Sequence, residues 1–213
     1  MAHAPPRPLR VGAEDAVDDG VVLAAEAGAV AAEVQLFGGG GEGGLLVANQ
    51  RKDVLATNAL ARALMAPMFD DPGNQNNLAR FTFFSPASRS FYPDWEQGAN
   101  SIVASLRTAA GRHPHDKNLT DLIGELVTRS NTFRLRWAAH DVRFHRSGTK
   151  CIHHPEVGDL EFTFEGLELP DQPGWMMFTY TAAAGSPTEE RGLTPFGRSG
   201  GCVSRPVARG SGQ

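Results

Sequence analysis

This chain of 213 residues has few cysteines, no basic excess and no long uninterrupted apolar run. Its two cysteines, Cys151 and Cys202, are too few for a disulfide framework, so a reducing cytoplasm is the expected location. The net charge of −4 argues against a stand-alone nucleic-acid binder, which needs a basic face. The longest apolar stretch near the N-terminus, residues 21–37, is interrupted by glutamates and a glycine. It therefore predicts neither a membrane-spanning helix nor a signal peptide.

Motifs of common enzymes are also missing. The sequence has no H-E-x-x-H, no G-x-S-x-G, no Walker loop and no G-x-G-x-x-G that opens a helix after a strand. Cys151 has no evident base partner and is interpreted as a packing residue. The pairs His113/His115 and His153/His154 leave a metal-dependent enzyme as a minor alternative, because a metal site needs several converging ligands. We therefore predict a protein without catalytic activity and without a cofactor.

Composition divides the chain into three parts. Residues 1–44 are rich in Ala, Gly and Pro, and residues 186–213 are rich in Gly, Ser and Arg. Both segments are predicted to be disordered, because glycine-rich sequence with little apolar patterning does not offset its conformational entropy. Residues 45–185 carry regular hydrophobic periods and are predicted to form one folded domain.

The first half of this domain is mainly helical. Two short strands, 45–48 and 53–57, flank a polar turn. Asn58, Asp116 and Ser130 are each predicted to cap a helix, since their side chains accept from free amides of a first turn. The clearest helix shows one apolar stripe with a 3.6-residue period, formed by Trp95, Ala99, Ile102, Val103, Leu106 and Ala110.

The second half switches to alternating, strand-like patterns. Residues 142–145 and 150–153 flank Ser147-Gly148 and predict a hairpin. The apolar residues 160, 162 and 164 alternate with polar ones, and a phase slip after Gly166 predicts a β-bulge.

The last strand is predicted at 175–182, apolar enough to be central. The order of elements predicts an α+β fold in which one antiparallel sheet of about five strands is covered on one face by several helices.

The block 107–142 combines two amphipathic helices with an aromatic third one and contains no nucleophile or metal motif. An apolar helical layer over a small sheet forms a pocket for an apolar molecule more readily than a catalytic centre. This favours sensing over turnover.

Several stretches in this order resemble the ligand-binding domain of the MmyB-like transcription regulators. They are Asp53-Val54-Leu55-Ala56 with Asn58, Asn77-Leu78-Ala79-Arg80, Phe91-Tyr92-Pro93-Asp94-Trp95, 107–142, Ser147-Gly148-Thr149-Lys150, His154-Pro155-Glu156-Val157-Gly158, and Tyr180-Thr181-Ala182 with Gly185-Ser186. The resemblance covers residues 46–186 almost continuously.

The resemblance implies a PAS-like fold and a fatty acid or similar amphiphile bound between helices and sheet. Regulators of this actinobacterial type join such a domain to an upstream helix-turn-helix of the XRE class. Residues 1–44 do not supply that helix-turn-helix domain, since they are short and glycine-rich. Contact with DNA is therefore expected only through a helix-turn-helix domain outside this sequence, and a homodimer is a further expected partner.

An acyl-chain pocket needs an apolar wall and one polar group for the headgroup. Arg80 or His140 is the predicted headgroup residue; for Arg80 the alternative is a structural ion pair. The wall candidates, for which ordinary core packing is the alternative, are Phe81, Phe84, Leu122, Leu126, Phe133, Trp137, Phe162, Phe178 and Tyr180. A protein–protein interaction or dimerisation module, using the alternating strand 159–165, is the alternative function.

Overall fold

The computed structural model describes residues 43–139 and 147–193, with side chains through residue 190. The strands are β1 (Gly43–Ala48), β2 (Val54–Thr57), β3 (Ser147–His154), β4 (Gly158–Glu168) and β5 (Met176–Thr181). The helices are α1 (Ala59–Leu64), α2 (Ala66–Phe69), α3 (Leu78–Phe84), α4 (Ala87–Phe91), α5 (Trp95–Arg112), α6 (Lys117–Arg129), α7 (Asn131–Ala138) and α8 (Pro187–Leu193), and a 3₁₀ turn spans Pro72–Asn74.

The five strands form one antiparallel sheet in the order β2-β1-β5-β4-β3. The predicted α+β fold, with one antiparallel sheet of about five strands and several helices, is confirmed. As predicted, the last strand, β5, is central, between β1 and β4. Non-sequential neighbours are brought together because the chain leaves the sheet after β2, builds the helical layer, and returns with β3.

Helix starts follow the predicted side-chain caps. Asn58 accepts from the Ala61 amide at 2.9 Å, and Asp116 accepts from the Leu119 amide at 3.0 Å. Ser130 Oγ accepts from the amide of Phe133 at 3.2 Å. All three contacts are local, so residue type and spacing suffice to predict them.

The predicted hairpin at Ser147-Gly148 is wrong. Both residues lie inside β3, where Ser147 pairs with Glu165 and Gly148 with Phe164. The predicted partner strand, 142–145, lies outside the described residues. The β3–β4 connection instead follows His154, because eight consecutive pairs with β4 outweigh the local turn preference of a Ser-Gly dipeptide.

The predicted bulge at Gly166 is also wrong. β4 pairs with β5 in unbroken register from Thr163 to Glu168. The apolar phase changes because Leu169 joins a small cluster around Val47 and Trp175, which is separate from the helix-packed core. Gly166 itself allows a close approach, since a Cβ there would lie 3.1 Å from Phe178 Cε1.

The main core lies between helices and sheet, and a second cluster lies among α3, α5, α6 and α7. Phe83 packs against both clusters, with its ring centroid 5.9 Å from that of Trp95 and 5.0 Å from that of Phe133. The helical layer and the sheet are thus packed as one continuous apolar interior.

Helix α8 lies beyond residue 185, in the segment that the sequence assigned to the C-terminal tail. The pairing of β5 with β4 ends at Thr181 and Thr163, which leaves the first residues of β4 without a strand on that side. There Thr188 Oγ1, in α8, accepts from the Glu161 amide at 2.8 Å. The helix therefore covers a short open stretch of strand edge.

Asn77 joins the helical layer to the β1–β2 turn. Its side-chain oxygen accepts from the amides of Ala79 and Arg80, at 2.9 and 3.0 Å, and so caps α3. Its amide nitrogen donates to the Arg51 carbonyl at 2.9 Å and to Asp53 Oδ1 at 2.7 Å. The residue is fully buried, so water cannot replace these partners.

We expect Asn77→Ala to lower the free energy of unfolding by about 2–4 kcal/mol, from a lost cap and newly unsatisfied buried groups. Urea unfolding followed by circular dichroism measures the change. Asp71→Ala is the matched control, because Asp71 caps the 3₁₀ turn through an exposed contact only. Equal losses in the two variants would contradict the assigned role of Asn77.

Candidate functional site

A cavity of about 120 Å³ lies between the helical layer and the helix-facing side of the sheet. Helix α5 forms much of one wall, and β3, β4 and β5 contribute to the opposite wall. The lining residues are Lys52, Leu78, Thr82, Tyr92, Asp94, Gln97, Gly98, Ser101, Ile102, Ser105, Lys150, Cys151, Phe164, Phe178 and Tyr180.

Lys52 reaches this cavity from the β1–β2 turn. It has a left-handed backbone, with φ of 71°, which is rare for a residue with a side chain. Its amide donates to the Asn49 carbonyl at 3.0 Å, and its own carbonyl accepts from the Leu78 amide at 2.9 Å. Lys52 is only 3% exposed, and burial lowers the pKa of its ammonium group to about 8.

Lys150 enters from the sheet, on β3. Its Nζ lies 4.6 Å from the ring centroid of Tyr92 and 5.8 Å from that of Tyr180. Burial lowers the pKa of this ammonium group also to about 8. The aromatic faces attract the cation, but they do not accept its three hydrogen bonds as a carboxylate would.

Neither lysine forms an ion pair or a side-chain hydrogen bond with any residue in the described part of the chain. Asp94 lines the same cavity, but it caps α5 by accepting from the Gln97 amide at 3.4 Å. The third lysine of the chain, Lys117, is exposed and pairs with Asp121. The cavity is therefore lined by two lysines that pair with no carboxylate in the described part of the chain.

Two phenols also belong to the polar lining, together with Thr82, Gln97, Ser101 and Ser105. Burial raises the pKa of Tyr180 to about 12. Burial raises the pKa of Tyr92 by more than that of Tyr180, and the nearby Tyr180 contributes to the shift of Tyr92. Both are neutral at physiological pH and able to donate a hydrogen bond.

The cavity also has apolar and small lining residues. Leu78, Ile102, Phe164 and Phe178 supply apolar surface, and Gly98 leaves open space, because a Cβ there would meet no atom within 4 Å. An apolar enclosure with a few convergent polar groups is typical of a small-molecule site.

Only part of the predicted wall lines this cavity. Phe178 and Tyr180 do, whereas Phe81 and Phe162 are buried in the core between helices and sheet. The other described candidates pack in the cluster among the helices: Phe84, Leu122, Leu126, Phe133 and Trp137. His140 lies outside the described residues.

Arg80 is placed away from the cavity. Its Nε and Nη2 donate to Glu125 Oε2 at 3.0 and 2.8 Å, between α3 and α6. This geometry favours the structural ion pair that the sequence offered as the alternative for Arg80. Hydrogen bonds from Arg80 and Arg129 hold the pKa of the Glu125 carboxyl below its usual range, although burial alone would raise it.

The histidine pairs do not converge. His153 Nδ1 lies 2.6 Å from Asp159 Oδ1, whereas His154 Nδ1 accepts from the Glu156 amide and His154 Nε2 contacts the Ala63 carbonyl. Across residues 43–139 and 147–190, no three His, Cys, Asp or Glu side chains form a group that could hold a metal ion. No helix in the described ranges is long and apolar enough to cross a membrane.

Lys52 and Lys150 were not among the residues predicted from the sequence. One signal was present: only three of the 20 basic residues are lysines, and Lys150 shares the phase of the apolar Ile152 in its strand. No such signal marks Lys52, because its burial depends on how the turn docks against α3.

Comparisons with known proteins agree with this architecture. The family model for the MmyB-like transcription regulator ligand binding domain matches residues 40–194. A search of curated proteins found no match.

The buried lysines predict that the ligand-free protein becomes more stable as pH rises from about 8 to about 10. The folded-state pKa of each is about 8, against 10.5 ordinarily, so the unfolded chain binds more protons in this interval. Protonated lysines oppose folding here, and their loss of a proton relieves that cost. We expect a gain on the order of 1–3 kcal/mol in urea unfolding between pH 7.5 and 9.5.

The Lys52→Met/Lys150→Met double variant is the control and should show a flatter profile over that range. Above pH 10 stability should fall as pH rises, because the raised pKa values of Tyr92 and Tyr180 make the folded chain bind more protons than the unfolded chain. The expected gain in stability is therefore confined to the range below about pH 10. A wild-type stability that stays level or falls between pH 7.5 and 9.5 would be inconsistent with two buried, unpaired ammonium groups.

Proposed function

The chain belongs to the family of the MmyB-like transcription regulator ligand-binding domain, and on this premise we propose that it senses a fatty acid or similar small amphiphile. The family is one of regulatory ligand-binding domains, not of enzymes. The proposed binding site is the cavity between α5 and the sheet. The observation that carries the proposal is that this cavity combines apolar walls with a few buried polar groups.

The size of the cavity indicates how sensing would work. At about 120 Å³ it is smaller than a pocket for a drug-sized ligand, roughly 300–1,000 Å³. A long acyl chain therefore requires α5 to move away from the sheet. The cavity-facing residues of α5 include Gly98, Ser101 and Ser105, which let the helix lie close to the sheet while no ligand separates them.

Contacts of α5 provide a route for the signal. Its N-terminal Trp95 is anchored, since the indole Nε1 donates to the Thr82 carbonyl and to Ser88 Oγ, both at 3.1 Å. Further along, Arg136 of α7 donates to Asn100 Oδ1 at 3.1 Å. A ligand that favours a displaced α5 would shift α7 as well, which is a population shift between two packings of the helical layer.

The output of that shift belongs to the proposal too. Displaced helices would alter contacts with a second copy of the chain or with a helix-turn-helix domain that reads DNA. We also propose a cytoplasmic location, because regulators of transcription act where the DNA is. The sign of regulation depends on which packing the DNA-reading domain requires.

A dimerisation or interaction module without ligand is the second candidate. One observation favours it: Glu161, Thr163, Glu165 and Leu167 of β4 are exposed, and Leu167 is 48% exposed, which is high for a large apolar side chain. A dimer that persists on dilution and contains no bound amphiphile would support this candidate over the sensor.

Gly98→Leu tests the location of the site. The leucine side chain would fill open space in the cavity, so we expect wild-type protein to co-purify with an amphiphile and the variant to lose most of it. Lipid extraction of the denatured protein followed by mass spectrometry measures the bound fraction. Thermal denaturation checks that the variant is folded.

Gly124→Leu is the matched control, since Gly124 is also mid-helix, has open space around it and lies outside the cavity. It should retain the amphiphile. Equal lipid content in all three proteins would place binding elsewhere, and absence of lipid from wild type, together with no binding of added fatty acids, would refute the sensor.

A further inference from the structure

Two of the three lysines of this chain line one cavity. All other basic residues, apart from histidines, are arginines, and the third lysine, Lys117, is exposed on α6. Lys52 is buried and Lys150 is half-buried, whereas lysine is almost never fully buried unless it is paired. The two cavity lysines therefore require an explanation beyond packing.

The physical cost of this arrangement is high. An ammonium group removed from water loses its hydration, and a nearby anion normally compensates for it. Among the described residues no carboxylate pairs with Lys52 or Lys150. The aromatic faces near Lys150 compensate in part, and no described aromatic ring makes such a contact with Lys52. An anion that entered the cavity would satisfy both groups.

The surroundings of the two lysines are arranged before any ligand enters. Lys52 is held by a left-handed backbone and by main-chain bonds to Asn49 and Leu78. Lys150 is held in a strand paired on the side of β4. A site whose side chains are already positioned loses less entropy on binding.

From these observations we propose that Lys52 and Lys150 form an acid-binding subsite that selects ligands with a carboxylate over neutral molecules of the same apolar shape. The inference rests on the proposed function, since it specifies the ligand class of the same cavity. The phenols of Tyr92 and Tyr180 line the cavity and can donate to the same carboxylate.

Selectivity follows because a buried donor that is left without a partner costs more free energy than an ordinary hydrogen bond gains. An acid gains two charge-assisted hydrogen bonds. An alcohol or a methyl ester with the same chain leaves both ammonium groups buried without an anion, so its apolar contacts are offset by polar groups that stay unsatisfied.

The experiment compares decanoic acid, 1-decanol and methyl decanoate, which share their apolar chain, by isothermal titration calorimetry on delipidated full-length protein. We expect wild type to bind the acid at least tenfold more tightly than the other two. Lys52→Met and Lys150→Met should each weaken acid binding at least tenfold and leave the affinity for decanol unchanged or higher. Methionine is similar in length and carries no charge.

Lys117→Met is the matched control and should behave as wild type, because Lys117 is exposed and outside the cavity. Lys52→Gln and Lys150→Gln give the same comparison with a polar side chain if a methionine variant does not fold. The ratio of the wild-type affinities for decanoic acid and 1-decanol tests the proposal without any variant.

The outcomes separate the two proposals. Equal affinity of wild type for all three ligands, or an acid preference that survives both substitutions, would overturn the acid-binding subsite while the sensor stands. Failure of wild type to bind any of the three ligands would overturn both.

Discussion

The hydrogen bonds of the buried Asn77 side chain fix the β1–β2 turn against the helical layer. The side chain caps α3 and at the same time holds the β1–β2 turn through Arg51 and Asp53. Because the turn is fixed there, Lys52 takes a left-handed backbone and its side chain is buried beside α5. One amide side chain thus connects the first hairpin, the helical layer and the cavity, and the Asn77 side chain itself is fully buried.

The consequence is a cavity whose lining lowers the stability of the folded domain. A cavity lined by two unpaired ammonium groups weakens the folded state relative to an apolar filling. The surrounding core offers ample packing to tolerate that cost, since Phe81, Phe133 and Leu126 are almost fully buried. Departures from good packing and charge pairing concentrate at functional sites in proteins generally, and here both departures occur in one cavity. This is why the cavity, and not the Arg80–Glu125 pair, is the candidate site.

Local features of the chain were predictable, and features that require two distant segments were less so. The caps at Asn58, Asp116 and Ser130 and the stripe of α5 follow from residue type and spacing over a single turn. The interpretation of Gly166 failed because an apolar phase change has two causes, a bulge or a second apolar face, and only the pairing distinguishes them. Of the aromatic candidates in the described ranges, Phe178 and Tyr180 line the cavity and the others pack in the core clusters. Periodicity could not separate the two groups, because it reports burial and not the space that remains beside a side chain.

Patterns that recur along the chain were enough to predict the α+β class, the central position of the last strand and the family of ligand-binding domains. The tertiary structure decided which cations face the cavity. Arg80 and Lys52 are 28 positions apart in the sequence, and both lie near the capping residue Asn77. Arg80 pairs with Glu125, whereas Lys52 is buried and has no carboxylate partner among the described residues. That difference arises from which segment packs against each residue, and the packing partner of a side chain is a property of the folded chain alone.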